Sequence, residues 1–86
     1  MNEWERLYRI AKANKIQYPK GAKVVLEHMV GEANMPPGLE GTVQFVDDIG
    51  QIHVNWKNGS SLALNTDEDQ FRVIERPPKE KGEPSR

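Results

Sequence analysis

The segment at residues 46–64, VDDIGQIHVNWKNGSSLAL, restricts the possible folds of this chain more than any other segment. It holds two turn sequences, DDIG and NG, and between them apolar residues alternate with polar ones. The apolar positions are Ile52, Val54 and Trp56. A period of two predicts a strand with one buried face. Asn-Gly between two such segments predicts a hairpin with a type I′ turn, because both central residues of that turn need positive φ. We therefore expect an antiparallel meander of three strands here.

The composition excludes several kinds of chemistry. The chain has 86 residues, no cysteine and two histidines. These numbers predict one small domain without a disulfide, a thiolate zinc site or a cysteine nucleophile. Because it also lacks a glycine-rich phosphate loop, a GxSxG elbow and an HExxH helix, we predict a protein that is not an enzyme and needs no metal or cofactor. The short apolar runs and the charged amino-terminal segment predict neither a membrane span nor a secretory signal, and hence a cytoplasmic protein.

Residues 2–17 have the pattern of a helix. Asn2 suits the N-cap position, and Glu5 follows it at the spacing of a capping box. The expected apolar face consists of Trp4, Leu7, Tyr8 and Ala11. A helix this short is marginally stable by itself in water, so its apolar face needs a cover. Two alternatives stay open: the helix docks on the rest of its own chain, or it contacts a partner or a second copy.

Five strands are predicted after the helix, at residues 23–29, 41–47, 51–56, 61–64 and 71–74. The expected inward-facing side chains are Val24, Leu26, Val43, Phe45, Ile52, Val54, Leu62, Leu64, Phe71 and Val73. We therefore predict a mainly β fold, a small five-stranded SH3-like barrel with an N-terminal amphipathic α-helix. The predicted organisation is a helix at residues 1–18, a barrel at residues 19–75 and a disordered tail at residues 76–86.

The candidate contact residues lie in loops and on the outer face of the third strand. Met35, in the turn-rich loop at residues 31–39, either closes the barrel end by packing or contacts a partner. Trp56 lies either in the core or on a contact surface at the rim. His53 and Asn55 share a polar strip that is either solvated or binds a partner. Asp48 belongs to a turn in which carboxylates bond backbone groups rather than hold a metal. These five residues form the predicted partner-binding set.

The charge of the chain is unevenly distributed. Residues 1–23 have a net charge of +4, residues 24–75 of −7 and residues 76–86 of +2. An acidic middle is unfavourable for nucleic acid, because phosphates bind clustered lysine and arginine side chains. Nucleic-acid association through the basic amino-terminal segment is therefore kept as the alternative function. Its candidate residues are Arg6, Arg9, Lys12, Lys15, Lys20 and Lys23.

Three motifs within residues 18–74 are familiar: YPKGAKVVL, PPGLEGTV, and VDDIGQIHVNWKNGSSLAL followed by DQFRVI. With them the chain resembles a family of bacterial, plasmid and phage proteins known as domain of unknown function 4314. The resemblance implies a short domain from mobile or gut-type bacterial genomes and transfers no catalytic residue. The WKNGS hairpin also looks like the small barrels of eukaryotic ubiquitin-ligase accessory domains, and the GxxGTV turn looks like KOW-type nucleic-acid modules. Both likenesses concern the fold alone.

These observations together predict a small non-enzymatic interaction module that binds a protein partner through its barrel loops. The expected surface combines the loop at residues 31–39, the turn at residues 47–50 and the rim near Trp56. The biological process is not predicted. We expect a monomer, or a homodimer through the N-terminal helix, and no association with membranes.

Overall fold

A computed structural model of the chain describes residues 2–32 and 34–77. One helix is followed by five strands: α1 (Glu3–Gln17), β1 (Lys23–His28), β2 (Glu40–Val46), β3 (Ile52–Trp56), β4 (Ala63–Leu64) and β5 (Gln70–Glu75). The strands form one antiparallel sheet in the order β4-β3-β2-β1-β5. This confirms the mainly β fold with an N-terminal helix. Closure into an SH3-like barrel stays a prediction, and most of the predicted tail, from residue 78 onward, lies outside the described residues.

The core fills one face of the sheet. Its fully buried large side chains are Leu26, Ile52, Leu64, Val24, Val43 and Val54. Phe71 and Val73 of β5 pack against this cluster and are half-buried. At Gly41, a Cβ atom would lie 2.5 Å from Cγ1 of Val54 and 2.8 Å from Cε3 of Trp56. Glycine is therefore required at this position of β2 because the side chains of β3 pack directly against its backbone.

A bulge in β2 changes which side chains face the core. Val43 pairs with Val54, and Phe45 pairs with His53. From one pair to the next, the register moves two residues along β2 but only one residue along β3. This extra residue reverses the alternation beyond Gln44. The prediction that Phe45 points inward is therefore wrong: Phe45 is exposed, and Val46 takes the buried position.

The hairpin between β3 and β4 differs from the predicted type I′ turn. The Gly59 N–H donates to the Trp56 carbonyl, and the Trp56 N–H donates to the Ser60 carbonyl, both at 2.9 Å. These are the bonds of a three-residue loop with glycine at positive φ, and the φ of Gly59 is 90°. The resulting register places Leu64 opposite Ile52 and inside the core.

The prediction that Leu62 points inward is also wrong. β4 contains only Ala63 and Leu64, and the Leu62 side chain is exposed. The buried indole of Trp56 donates from Nε1 to the Leu62 carbonyl at 2.9 Å. The backbone of Leu62 thus satisfies the indole N–H, whereas its side chain turns to solvent.

The helix α1 docks on the turn between β2 and β3. Its N-cap is the predicted one, since Asn2 Oδ1 accepts from the Glu5 N–H at 2.8 Å. The docked side consists of buried Ala11 and Asn14 with half-buried Leu7 and Ile10. Asn14 Nδ2 donates to the Gly50 carbonyl at 2.9 Å. The helix therefore covers part of its own chain, but with a face rotated away from Trp4 and Tyr8.

Candidate interaction surface

An apolar ridge runs along the solvent side of α1. Trp4, Tyr8, Lys12 and Ile16 follow one another at intervals of four residues and lie on one inclined row of the helix. Trp4 is 71% exposed, Tyr8 62% and Ile16 78%. No other large hydrophobic side chain among the described residues is as exposed as these three. We call Trp4, Tyr8, Lys12 and Ile16 the outer ridge.

The outer ridge gives α1 a second apolar side. A surface helix of a small domain has one apolar stripe facing the core and polar residues elsewhere. In α1 the stripe around Ala11 and Asn14 already fills that role. Contiguous exposed aromatic and aliphatic side chains mark contact sites more often than single ones. The outer ridge is therefore the surface of this molecule that most clearly lacks a cover from the described chain.

A groove of about 490 Å³ lies between the outer ridge and the turn at residues 47–50. Its lining residues are Trp4, Glu5, Tyr8, Ala11, Lys12, Lys15 and Asp48. Lys15 Nζ lies 3.5 Å from Asp48 Oδ1, and the Asp48 side chain is almost fully exposed. Lys12 Nζ lies 5.8 Å from the centroid of the Tyr8 ring, within the range of a cation–π contact. The groove thus combines aromatic walls with charges of both signs.

Asp47 fixes the turn that forms the far wall of this groove. Its Oδ1 accepts from the backbone N–H groups of Ile49 at 3.1 Å and Gln51 at 2.9 Å, and its Oδ2 lies 2.9 Å from His53 Nε2. Burial raises the pKa of Asp47, but the hydrogen bonds from His53, Gln51 and Ile49 outweigh it and hold that pKa below its ordinary value. The prediction that carboxylates of this turn bond backbone groups is therefore confirmed for Asp47 but not for Asp48, whose carboxylate faces Lys15 instead.

A second exposed aromatic lies on the outer face of the sheet. The bulge brings Phe45 onto His53, with the ring centroids 4.2 Å apart and the rings 8° from parallel. His53 is half-buried, and its Nε2 is already bonded to Asp47. Asn55, on the same strand, is exposed. This strip offers one free ring face, so it is a smaller contact surface than the outer ridge.

A family model described as Domain of unknown function (DUF4314) matches residues 8–74. The chain belongs to this family. The matched range begins inside α1 and ends in β5, so it spans all five strands of this DUF4314 domain. Among the curated proteins and among the solved structures, nothing matches the chain.

The structure of this DUF4314 domain separates the predicted partner-binding residues. Met35 and Trp56 are each only 3% exposed and belong to the core, as the packing alternative for each predicted. Neither side chain offers a contact surface. Asp48 lines the groove, whereas His53 and Asn55 lie on the outer face of the sheet. Met35 and Trp56 therefore leave the predicted partner-binding set, whereas contact through Asp48, His53 and Asn55 stays a prediction.

Sequence reasoning did not identify the outer ridge. It placed Trp4 and Tyr8 on one apolar face with Leu7 and Ala11, and left open whether that face covers its own chain or contacts a partner or a second copy. It gave Ile16 no role at all. The even spacing of Trp4, Tyr8, Lys12 and Ile16 was the available signal, since three steps of four residues follow one row of a helix. The helix sequence does not indicate which side of α1 packs against the sheet.

The basic residues proposed for nucleic acid do not form one patch. Arg6, Arg9, Lys12 and Lys15 are three residues apart, and each step turns by about 60° around the helix. Arg6 already pairs with Glu3 at 3.1 Å and with Asp67 at 3.2 Å. Lys20 is exposed on a turn, and Lys23 is half-buried at the start of β1. The nucleic-acid alternative stays a prediction, supported by a dispersed set of cations.

Within residues 2–32 and 34–77, no three histidine, cysteine, aspartate or glutamate side chains come together as a metal ion would require. In the same residues, no helix has both the length and the apolar character needed to cross a bilayer.

Proposed function

We propose that this protein is a non-enzymatic interaction module that binds a protein partner through the outer ridge and the adjoining groove. The observation that supports this most directly is the exposure of Trp4, Tyr8 and Ile16 along one row of α1. Tryptophan and tyrosine provide much of the binding energy of protein interfaces because each buries a large rigid area at small entropic cost. A row of such residues on a helix suits a protein surface better than a small polar molecule.

The geometry of the titratable groups also favours binding over catalysis. His53, the histidine closest to a carboxylate, is held by Asp47 in the turn and stacked on Phe45. Among the described residues, no serine or threonine hydroxyl is bonded to it. A nucleophile–base pair would need such a contact. The contact between His53 and Asp47 is better explained as a support for the turn at residues 47–50.

We further propose a bacterial or phage domain, as the resemblance of its motifs implies, and a cytoplasmic location, as the short apolar runs of the sequence predict. The strand order β4-β3-β2-β1-β5 supports an SH3-like barrel. In that arrangement α1 is an addition to the sheet, placed where it can contact another protein without changing the core.

Site-specific photocrosslinking in living cells tests the proposed surface. A benzophenone amino acid at position 8, on the outer ridge, is expected to give one discrete protein adduct. The same amino acid at position 45, an exposed aromatic site on the sheet, is the matched control and is expected to give none. Ile16→Asp in the position-8 protein is expected to remove the adduct, because it places a charge on the same ridge. Absence of any adduct at position 8, or identical adducts at both positions, contradicts the proposal.

A further inference from the structure

We propose that the partner on the outer ridge is a second copy of this chain, with the two α1 helices packed antiparallel about a two-fold axis. This inference rests on the proposed function, since it names the occupant of the same surface. A two-fold interface uses one patch on both subunits, so the patch must be complementary to itself. The outer ridge meets that condition in its spacing, in the sizes of its side chains and in its charges.

The spacing and sizes of the outer ridge suit antiparallel packing. Its four residues are evenly spaced, and rows of residues four apart form the ridges that pack between one another at helix crossings. Reversing the direction of one helix brings the large Trp4 ring of each copy over the stem of Lys12 and the side chain of Ile16 in the other. Tyr8 of each copy then lies close to the axis. The bulky end of one ridge thus covers the smaller end of the other.

The charges beside the outer ridge are also self-complementary. Glu5 and Lys12 are seven residues apart, so they lie within about 20° of each other on the same side of the helix. In an antiparallel pair, Glu5 of one copy therefore approaches Lys12 of the other, and the contact occurs twice. Within the described residues, neither Glu5 nor Lys12 makes an ion pair. Both charges are thus free to pair between subunits.

This charge pattern favours a second copy over an acidic segment of another protein. A partner helix with an excess of carboxylates would pair with Lys12 but would place like charges against Glu5 and the exposed Asp48. A second copy brings one acidic and one basic side chain to each edge. A second copy therefore pairs both the acidic Glu5 and the basic Lys12.

The small size of α1 sets the expected strength of the association. Its 15 residues span about 22 Å, and one ridge of that length buries less than the roughly 800 Å² per partner of a standard interface. We therefore expect a reversible dimer with a Kd on the order of 10–100 μM. Such a dimer forms and dissociates with changes in protein concentration.

Analytical ultracentrifugation of the full chain, over a concentration range that spans this Kd, tests the proposal. The wild-type protein is expected to show a monomer–dimer equilibrium. Glu5→Lys and Lys12→Glu are each expected to weaken it about tenfold or more, because each places like charges together at both ends of the helix pair. The double variant Glu5→Lys/Lys12→Glu is expected to restore dimerisation. Glu32→Lys, the same charge change at an exposed turn, is the control and is expected to leave the equilibrium unchanged.

A second variant pair tests the apolar contacts. Trp4→Ala is expected to abolish the dimer, whereas Phe45→Ala, which removes another exposed aromatic ring, is expected to leave it intact. Circular dichroism of each variant verifies that α1 remains folded. A wild-type protein that stays monomeric at millimolar concentration overturns the inference. So does a charge swap that fails to restore dimerisation, because that result excludes the antiparallel arrangement.

The two proposals fail in different ways. A monomeric protein that still gives a specific position-8 adduct with another protein leaves the interaction module standing and overturns the second copy as its occupant. A monomeric protein without any adduct overturns both. A position-8 adduct with twice the mass of the chain, together with the charge-swap rescue, supports both.

Discussion

At the scale of single residues, Asp47 connects the sheet to the proposed surface. Its carboxylate bonds two backbone N–H groups of the turn and the ring of His53. The same turn presents Gly50 to α1 and Asp48 to the groove. A carboxylate that accepts several hydrogen bonds stabilises one loop geometry only while it is ionised. The ionised carboxylate of Asp47 therefore stabilises the turn against which α1 packs.

We predict that Asp47→Asn lowers the free energy of unfolding at pH 7 by about 1–2 kcal/mol. The folded-state pKa of Asp47 lies below its unfolded value, so its ionised form stabilises the fold above the unfolded pKa of about 3.9. That contribution is lost as the pH falls through the lower folded-state pKa. The difference between wild type and variant is therefore constant at neutral pH and shrinks below about pH 4. Urea denaturation at a series of pH values measures it.

Asp48→Asn is the matched control for this measurement. Its side chain is almost fully exposed and pairs with Lys15 at 3.5 Å, so its removal is expected to change stability by less than about 0.5 kcal/mol at any pH. The account would be contradicted if Asp48→Asn lowered the free energy of unfolding as much as Asp47→Asn does. It would also be contradicted if the effect of Asp47→Asn did not change with pH.

At the scale of elements, the contact between α1 and the β2–β3 turn is defined by a small residue and an amide. Gly50 has a φ of 92°, and a Cβ atom there would lie 2.7 Å from Cγ2 of Ile10 and 3.3 Å from the Ala11 backbone nitrogen. Asn14 donates to the Gly50 carbonyl from the same side. The backbone of the turn thus approaches the helix as closely as glycine permits. This close approach orients the outer ridge toward solvent.

We predict that Gly50→Ala destabilises the protein by about 1–3 kcal/mol more than Gly59→Ala does. Both glycines have a φ near 90°, so both substitutions force alanine into the left-handed region at a similar cost. Only the Cβ atom at position 50 meets the helix, because nothing lies within 4 Å of the one at position 59. Chemical denaturation of the two variants isolates the helix contact by difference. Equal losses of unfolding free energy in the two variants would show that a Cβ atom at position 50 does not clash with α1.

The elements were largely predictable from the sequence because each has a local cause. Asn2 caps the helix, and the alternation of Ile52, Val54 and Trp56 defines β3 with its buried face. Phe45 was assigned to the wrong face because a bulge adds one residue to the strand without changing the apolar pattern. Leu62 was misplaced because β4 begins only at Ala63, so the alternation of the paired strand does not extend to position 62. Both errors arise from pairing between strands, which local periodicity does not encode.

The candidate site was much less predictable. The sequence left Met35 and Trp56 each between core packing and partner contact, and the structure places both in the core. Trp4 and Tyr8 were placed on the same apolar face as Leu7 and Ala11, but the sheet approaches α1 from another side and leaves both rings exposed. Which face of an amphipathic helix is covered depends on where the turn at Gly50 lies in space. That position follows from the tertiary fold rather than from the helix sequence.

At the scale of the whole molecule, charge separates the helix from the sheet. The first 23 residues have a net charge of +4 and residues 24–75 of −7. Two of the basic side chains on α1 already pair with carboxylates of the body, Arg6 with Asp67 and Lys15 with Asp48. These pairs draw the helix toward its own acidic sheet. They also reduce the positive charge available to an external polyanion.

We predict that the chain does not bind duplex DNA or RNA measurably at about 0.15 M salt, because the acidic body repels phosphates at this ionic strength. Fluorescence polarisation with a labelled duplex at several salt concentrations measures the binding. If nucleic acid is the true partner, the logarithm of the binding constant instead falls steeply and linearly with the logarithm of the salt concentration. Charge reversal at Arg9 and Lys12 should then reduce that slope. The matched reversal at Arg72, which pairs with Glu27 on the sheet, should not change it.

The contrast between Trp4 and Trp56 supplies two optical reporters in one chain. The Trp4 indole lies in water at the start of α1, whereas the Trp56 indole is enclosed and donates to a carbonyl. Iodide should therefore quench the red-shifted emission of Trp4 and spare the blue-shifted emission of Trp56. Loss of Trp4 quenching without a change in the Trp56 emission would show that a partner covers the outer ridge. A red shift of the Trp56 emission would signal unfolding, so one spectrum distinguishes the two events.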